Sequence, residues 1–191
     1  KNVFNLNTKR AYVEEDGVIE WVTGSFGSKV SMLYPMGILA GARSRMEYTG
    51  VSFAGEGQVL DTGAKVVHLA EDTYSMINAK SLSSGGGVSM TRTLAKITKK
   101  ALRARSYTDC KSLILDNRSV SNAIPEVKVE CNEAEVSHEA SVGKISDEAV
   151  YYLQTRGISE DEARALIVRG FTGDVSKELP IEYAMEMNNL I

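Results

Sequence analysis

The side chains that could bind a metal or act as nucleophiles are few. The chain has 2 cysteines and 2 histidines, and the stretch CNEAEVSHEASVGKI (residues 131–145) holds Cys131, His138 and Glu139. Thiolate, imidazole and carboxylate groups all bind transition metals, and a thiol beside an imidazole can also act as a nucleophile. The stretch is therefore either a metal or catalytic site, or an ordinary strand with one polar residue turned inward.

The alternation of this stretch predicts a strand with His138 on its apolar face. A period of two places His138 in the same row as Val136 and Val142, with Glu139 in the opposite row. An imidazole in an apolar row is typical of a core histidine that bonds a backbone carbonyl. His138 and Glu139 can share one metal ion only at a bulge or at a strand end.

The other cysteine and the other histidine are also candidates for chemistry, and the row of Cys131 bears on its role as well. Cys110, in YTDCKSLIL, alternates with Thr108 and Ser112. That row is more polar than the usual surroundings of an inert thiol, although burial is the commoner fate of a free cysteine. Cys131 and His68 both continue apolar rows, which predicts that they lie in the core.

The elements that must position these residues are short strands followed by helices. Residues 1–145 alternate in runs that glycines and Asp/Asn turns separate. Helical patterns are absent between the runs, so parallel strands joined by crossover helices are not expected. A sandwich, a barrel or a solenoid of strands remains open, because residue identities show no clear repeat.

From residue 146 the period becomes helical, which predicts a second domain over 146–191. Ser146 is a predicted N-cap for a first helix that stops at Gly157. A second helix has Ser159 as its cap and is expected to end at Gly170. A third element starts at PIEYAMEMNNLI, with proline in the first helical position.

Composition excludes several classes of function. The net charge of −3 and the interspersed charges give no footprint for nucleic acid or for an anionic membrane. No apolar run is long enough to span a bilayer, and no signal peptide is evident, so a cytoplasmic location is expected. The cysteines lack the spacing of a disulfide framework or a zinc site. No phosphate-binding glycine loop is present, so any ATP is expected on another subunit.

Several segments, taken in order, resemble the core and C-terminal region of SufB, in the SufB/SufD family of iron–sulfur cluster assembly scaffolds. They are EWVTGSFGSKVSMLYP, LDTGAKVVHLAEDT, YTDCKSLIL, IPEVKVEC, SHEASVGKISDEAVYYLQTRGISEDEARALIVRGF and KELPIEYAMEMNNLI. The resemblance covers nearly the whole chain. Because the chain opens on Lys1 in an already alternating run, we expect that its start was cut from something longer.

The resemblance implies a mainly β fold, a right-handed parallel β-helix over 1–145, with a small helical domain at 146–191 for ATPase docking. It implies a complex with SufC, an ABC-type ATPase, and a dimer with a second SufB- or SufD-like chain. A sulfur donor and apo-protein acceptors would be further partners. The chain would be a scaffold rather than an enzyme, with iron and a transient iron–sulfur cluster bound to it.

Carried over residue by residue, the family's essential cysteine falls on Cys110 and its His-Glu pair on His138 and Glu139. The resemblance thus implies that Cys110 accepts sulfur or binds the cluster, with His138 and Glu139 as ligands or orienting groups. Some relatives have a glutamate where this chain has Ser137. Two alternatives remain: a structural SufD-like subunit without its own cluster site, and a hydrolase that uses Cys110 as nucleophile and His138 as base.

Overall fold

The computed structural model describes residues 2–178, together with Ile181 and Met185. Within this part the strands are β1 (Phe4–Val13), β2 (Val18–Ser25), β3 (Val30–Leu39), β4 (Arg45–Ala54), β5 (Val59–Thr62), β6 (Lys65–His68), β7 (Tyr74–Ser83), β8 (Val88–Ile97), β9 (Arg105–Ile114), β10 (Val120–Val129) and β11 (Glu135–Lys144). Two helices follow, α1 (Asp147–Thr155) and α2 (Glu160–Glu178).

The strands form a parallel β-helix of about five turns. Each turn adds one strand to sheet A, in the order β1, β3, β5 with β6, β8 and β10, and one to sheet B, in the order β2, β4, β7, β9 and β11. All the pairs are parallel, because every strand lies beside its counterpart in the next turn. The predicted β-helix followed by helices is confirmed.

The interior between the sheets is partly polar. Alternation turns every second side chain inward, which buries Met46 and Ile77 fully. Hydroxyl groups share this space: Ser81 and Ser112 lie 2.8 Å apart, and Ser75 donates to Ser106 at 2.9 Å. Because these serines occupy equivalent places in successive turns, each hydroxyl finds a partner and is buried without a lost hydrogen bond.

Both helices begin as the sequence predicted, but α2 is longer than expected. The Ser146 side chain accepts a bond from the Ala149 backbone, and the Ser159 backbone donates to the Glu162 carboxylate at 3.2 Å. The predicted stop of α2 at Gly170 is wrong, since the helix continues to Glu178. Burial of the turns beyond this glycine outweighs its helix penalty of about 1 kcal/mol.

Helix α2 packs on the outer face of sheet B. Val168 and Val175 are buried against Val51 and Leu82 of that face, with Phe171 beside them. The predicted third helix, over 180–191, lies outside the described residues except for Ile181 and Met185, which are helical and exposed.

A second contact joins the helices to each other. Val150 of α1 and Ala163 of α2 are buried together with Ile145, which follows the last strand. Across the described residues, no helix combines the length and apolar character that a membrane span requires.

Candidate functional site

Cys110 lies on the inner face of β9 and is fully buried. Its neighbours in the same row are Ala79 of the preceding turn and Ala140 of the following turn. The Thr93 hydroxyl of the facing sheet lies 4.0 Å from its sulfur. Burial raises the pKa of the Cys110 thiol to about 11, and the nearby Asp109 carboxylate adds to this. The thiol is therefore protonated at neutral pH in this conformation.

His138 lies in the last strand, β11, and is exposed. The sequence interpretation of His138 as a core histidine is therefore wrong, although its row was assigned correctly. In the described part of the chain β11 is the edge of sheet B, with a partner on one side only. An inward-facing side chain is buried only where other turns close the space in front of it. The last turn lacks that cover, so the imidazole faces solvent.

The structure brings Cys110 and His138 to the same face but leaves Glu139 on the other. Ala140 is the cross-strand partner of Cys110, and His138 is two residues before it. One strand spacing and two residues of rise separate the Cα atoms of Cys110 and His138 by about 8 Å. Glu139 pairs with Asp109 on the outer face. Among the described residues, no three His, Cys, Asp or Glu side chains form a group that could hold a metal ion.

The outer face beside Cys110 forms a small polar cavity that sequence reasoning did not find. It has a volume of about 140 Å³ and lies between sheet B and Val175 of α2. Asp109 lines it; Lys111 donates to one carboxylate oxygen at 2.7 Å, and the other oxygen is buried without a partner among the described residues. Lys80 also lines it and donates to the Phe171 carbonyl at 2.8 Å. The sequence signal that could have indicated this cavity is the pair of opposite charges at Asp109 and Lys111, because residues two positions apart in a strand lie on the same face.

His68 and Cys131 are in the core, as the sequence predicted. His68 is fully buried, with its ring nitrogens 2.8 Å from the Thr73 hydroxyl and 2.9 Å from the Ser75 hydroxyl. Burial lowers its pKa to about 4. Cys131 packs in an apolar cluster that includes Ile97. Because hydroxyls occupy both His68 nitrogens, this side chain has a structural role.

Comparison with known proteins gives one consistent result. Residues 1–171 match the family model described as SUF system FeS cluster assembly, SufBD core domain. Three relatives carry the name "Iron-sulfur cluster assembly SufBD family protein"; they come from Staphylococcus aureus (strain USA300), Staphylococcus haemolyticus (strain JCSC1435) and Staphylococcus epidermidis (strain ATCC 35984). Each is 48% identical to this chain over 190 residues, and the match covers 100% of the chain.

The chain is a parallel β-helix with a helical C-terminal part, and the buried thiol of Cys110 faces the interior of the β-helix. The chain belongs to the SufBD family of the SUF system for iron–sulfur cluster assembly. It spans 41% of the length of the curated relatives that it matches.

Proposed function

We propose that this chain is the part of a SufB-like scaffold on which a nascent iron–sulfur cluster is built from iron and sulfide and then handed to apo-proteins. The observation that carries the proposal is the position of Cys110. Its thiol lies on the inner face of the last turn but one, diagonal to the exposed His138 of the last turn. A thiolate and an imidazole at an open end of the β-helix form an incomplete ligand set that a second chain can complete.

Such an incomplete set suits a protein that must release its cargo. Stable protein-bound clusters are held by four thiolates, and this chain has 2 cysteines. Fewer ligands from one chain give weaker binding and leave coordination positions for an acceptor. Iron binding must also displace the Cys110 proton, because burial keeps the pKa of the thiol at about 11. Cluster loading therefore requires the last turn to open or a metal ion to approach the sulfur.

His138 and Glu139 are expected to contribute unequally. His138 shares the inner face with Cys110, whereas Glu139 lies beside Asp109 on the outer face. We infer that His138 is a ligand of iron in this arrangement. Glu139 does not reach the same iron from the outer face; it orients the strand from that side or contacts a partner chain. The single substitutions His138→Ala and Glu139→Gln separate the two roles, because only the first removes a donor from the inner face.

The proposed dimer uses the edges of the last turn, β10 and β11, each of which has a partner strand on one side only within the described residues. Unpaired strand edges offer backbone donors and acceptors to a second SufB- or SufD-like chain. Strand β11 is uninterrupted, whereas β10 carries Pro125, which has no N–H to donate. Val142 of β11 is also 49% exposed. We therefore expect the partner strand to pair with β11, which would place Cys110 and His138 near the interface.

The proposed contact with a SufC-like ATPase lies on the exposed side of the helices. Tyr151 and Tyr152 of α1 are 68% and 57% exposed, and Leu166 of α2 is 46% exposed. Large aromatic side chains in such positions are typical anchors of protein interfaces. Because α2 covers Leu82 of sheet B, deletion of the helices would damage the β-helix itself. The double variant Tyr151→Ala/Tyr152→Ala is the better test, with Tyr12→Ala, 69% exposed on β1, as its matched control.

The decisive experiment measures iron and acid-labile sulfide on the full-length protein, isolated anaerobically together with its ATPase subunit from the cytoplasm of the producing cells. Cys110→Ala should abolish both, and Cys131→Ala, which removes the other buried thiol, should retain both. His138→Ala should reduce both more than Glu139→Gln does. Melting temperatures near that of the unchanged protein must accompany the losses, since otherwise unfolding explains them.

A second candidate is a structural SufD-like subunit, and the complete burial of Cys110 favours it. A protonated, shielded thiol is a poor metal ligand until something exposes it. Full cluster loading by Cys110→Ala in the experiment above would support this reading and contradict a cluster site on this chain. The raised pKa also disfavours the hydrolase alternative, which needs an activated thiolate.

A further inference from the structure

A groove on the outer face of sheet A has no part in the proposed cluster chemistry. Its volume is about 380 Å³, and it is lined by residues of β3, β5, β6, β8 and β10, among them Tyr34, Asp61, Lys65 and Arg92. Cavities of a few hundred Å³ or more accommodate small organic molecules. Because the helices cover sheet B, this groove is on the other side of the β-helix from them.

A break in the sheet forms the groove. The third turn is split between β5 and β6 at Gly63, where φ is +147° and a Cβ would lie 1.9 Å from the Arg92 carbonyl oxygen. Pairing with β3 is interrupted at the same level, after Leu33 and before Met36, where Pro35 has no N–H to give. The close approach at Gly63 brings the side chains on either side of the break together.

Inside the groove a buried carboxylate orients an arginine. The Asp61 side chain is only 8% exposed and accepts from Arg92 Nε at 3.0 and 3.1 Å. Burial, followed by a hydrogen bond with Asp61, raises the pKa of the Tyr34 hydroxyl. The Asp61 carboxylate therefore holds Nε of Arg92 through both of its oxygens and lies close to the phenol of Tyr34.

The outer end of the Arg92 guanidinium has no oxygen partner among the described residues. Its Nη2 contacts only the Met90 sulfur, at 3.6 Å, and its side chain is 47% exposed. The parallel N–H groups of Nη1 and Nη2, at the end of the guanidinium, match the geometry of a carboxylate or phosphate. Asp61 binds the guanidinium at Nε, so the two terminal nitrogens of Arg92 can bind a ligand.

Lys65 supplies a second positive charge beside the guanidinium. Its cross-strand partner is Leu94, which lies two residues after Arg92, so the two cationic side chains are diagonal neighbours on one face. Its Nζ lies 5.2 Å from the Tyr34 ring centre, and the described residues offer it no carboxylate within 4 Å. Glu126, on the opposite wall, is already paired with Lys128 at 2.7 Å. Two acidic and two basic side chains line the groove, and the pairing of Asp61 with Arg92 and of Glu126 with Lys128 leaves the charge of Lys65 without an acidic partner among the described residues.

We propose that this groove is a binding site for a small organic oxyanion, with Arg92 and Lys65 binding the carboxylate or phosphate group. Ile124, 45% exposed, and the Tyr34 ring offer apolar surface next to the two cations, which suits a ligand with a short carbon body. Strand β8 carries both Arg92, in the groove, and Thr93, whose hydroxyl lies 4.0 Å from the Cys110 sulfur. A bound ligand and the thiol would therefore lie on opposite sides of this strand. This site does not depend on the cluster-assembly proposal.

The test is titration of the full chain at low ionic strength with sodium hexanoate and, separately, with sodium phosphate, followed by isothermal calorimetry. We expect saturable binding with a Kd below about 10 mM. Hexanoate bound more tightly than phosphate would identify a carboxylate with an apolar body, and the reverse order would identify a phosphate compound.

Variants locate the binding to the groove. Lys65→Gln should weaken it about tenfold, and Arg92→Lys, which keeps a partner for Asp61 but removes the fork, by at least as much. Lys96→Gln is the matched control, because Lys96 lies on the same face of β8 outside the groove. The control should change Kd less than twofold. Absence of saturable binding, or equal affinities in Lys65→Gln, Arg92→Lys and the control, would overturn the proposal.

Discussion

The closed middle turns and the open last turn of the β-helix contain similar alternating strands but bury them very differently. In β7 of the third turn, inward side chains such as Ile77 are fully buried. In β11 the corresponding face leaves His138 and Val142 exposed. The difference teaches that alternation assigns a side chain to a face, whereas stacking of neighbouring turns decides whether that face excludes water.

The two histidines illustrate this contrast. His68 and His138 both occur in apolar rows, and both invite the interpretation of a core histidine. Turns on either side enclose His68, and hydroxyls of Thr73 and Ser75 bond its ring. His138 has no turn beyond it in the described part of the chain, so its ring is available to solvent or to a ligand.

The largest expected contrast is between the same substitution, valine to alanine, in a middle turn and in the last turn of the β-helix. Val66→Ala removes a fully buried side chain and should lower the free energy of unfolding by about 2–4 kcal/mol. Val142→Ala, at a position 49% exposed, should cost less than about 0.5 kcal/mol. Urea denaturation measures both. A cost of Val142→Ala that rises with protein concentration would show that a second chain covers the last turn; equal costs in dilute monomer would contradict the comparison.

A second contrast uses glycines. Gly63→Ala forces a side chain into a left-handed backbone and against the Arg92 carbonyl, so we expect a loss of at least about 2 kcal/mol. At Gly143, on β11, an added Cβ meets nothing within 4 Å. Gly143→Ala should therefore stay within about 0.5 kcal/mol of the unchanged chain. Thermal unfolding of the two variants is sufficient, and tolerance of alanine at Gly63 would show that the sheet break is adaptable.

Acid should destabilise the middle turns through His68. Its folded-state pKa of about 4 lies below the ordinary value of 6.5, so the stabilisation is complete above pH 6.5 and is lost as pH falls toward 4. Between pH 7 and pH 5 the loss should be about 2 kcal/mol. Stability curves in denaturant at several pH values measure it. His138→Gln should retain this dependence and His68→Gln should remove it; the opposite assignment would refute the structural role of His68.

The last expected effect concerns the reactivity of Cys110 rather than stability. In a Cys131→Ser background, iodoacetamide should label native Cys110 at least about 100-fold more slowly at pH 8 than it labels the unfolded chain, because burial raises the thiol pKa to about 11. Mass spectrometry follows the labelling over time. Rapid labelling of the folded chain would mean that the last turn opens readily, which would sharpen the proposed route to cluster loading.

Local chemistry in the sequence determined the elements and the rows of this protein. Period-two runs and turn residues predicted the strands, the caps at Ser146 and Ser159 predicted the starts of both helices, and alternation placed Cys110 and His138 on their correct faces. These features depend on residues a few positions apart, which is why they can be read from the chain. The β-helix itself came from the resemblance to a family, because periodicity left a sandwich and a barrel open.

Only the tertiary structure decided burial and the partners in space. The sequence could not show that His138 is exposed, that α2 runs through Gly170 to cover sheet B, or that Asp61 and Arg92 meet across a break in sheet A. Each depends on which turn lies beside, beyond or over a residue, at separations of about 30 positions in the chain for Asp61 and Arg92. Side-chain alternation repeats identically in every turn, so it carries no information about where the stack of turns ends.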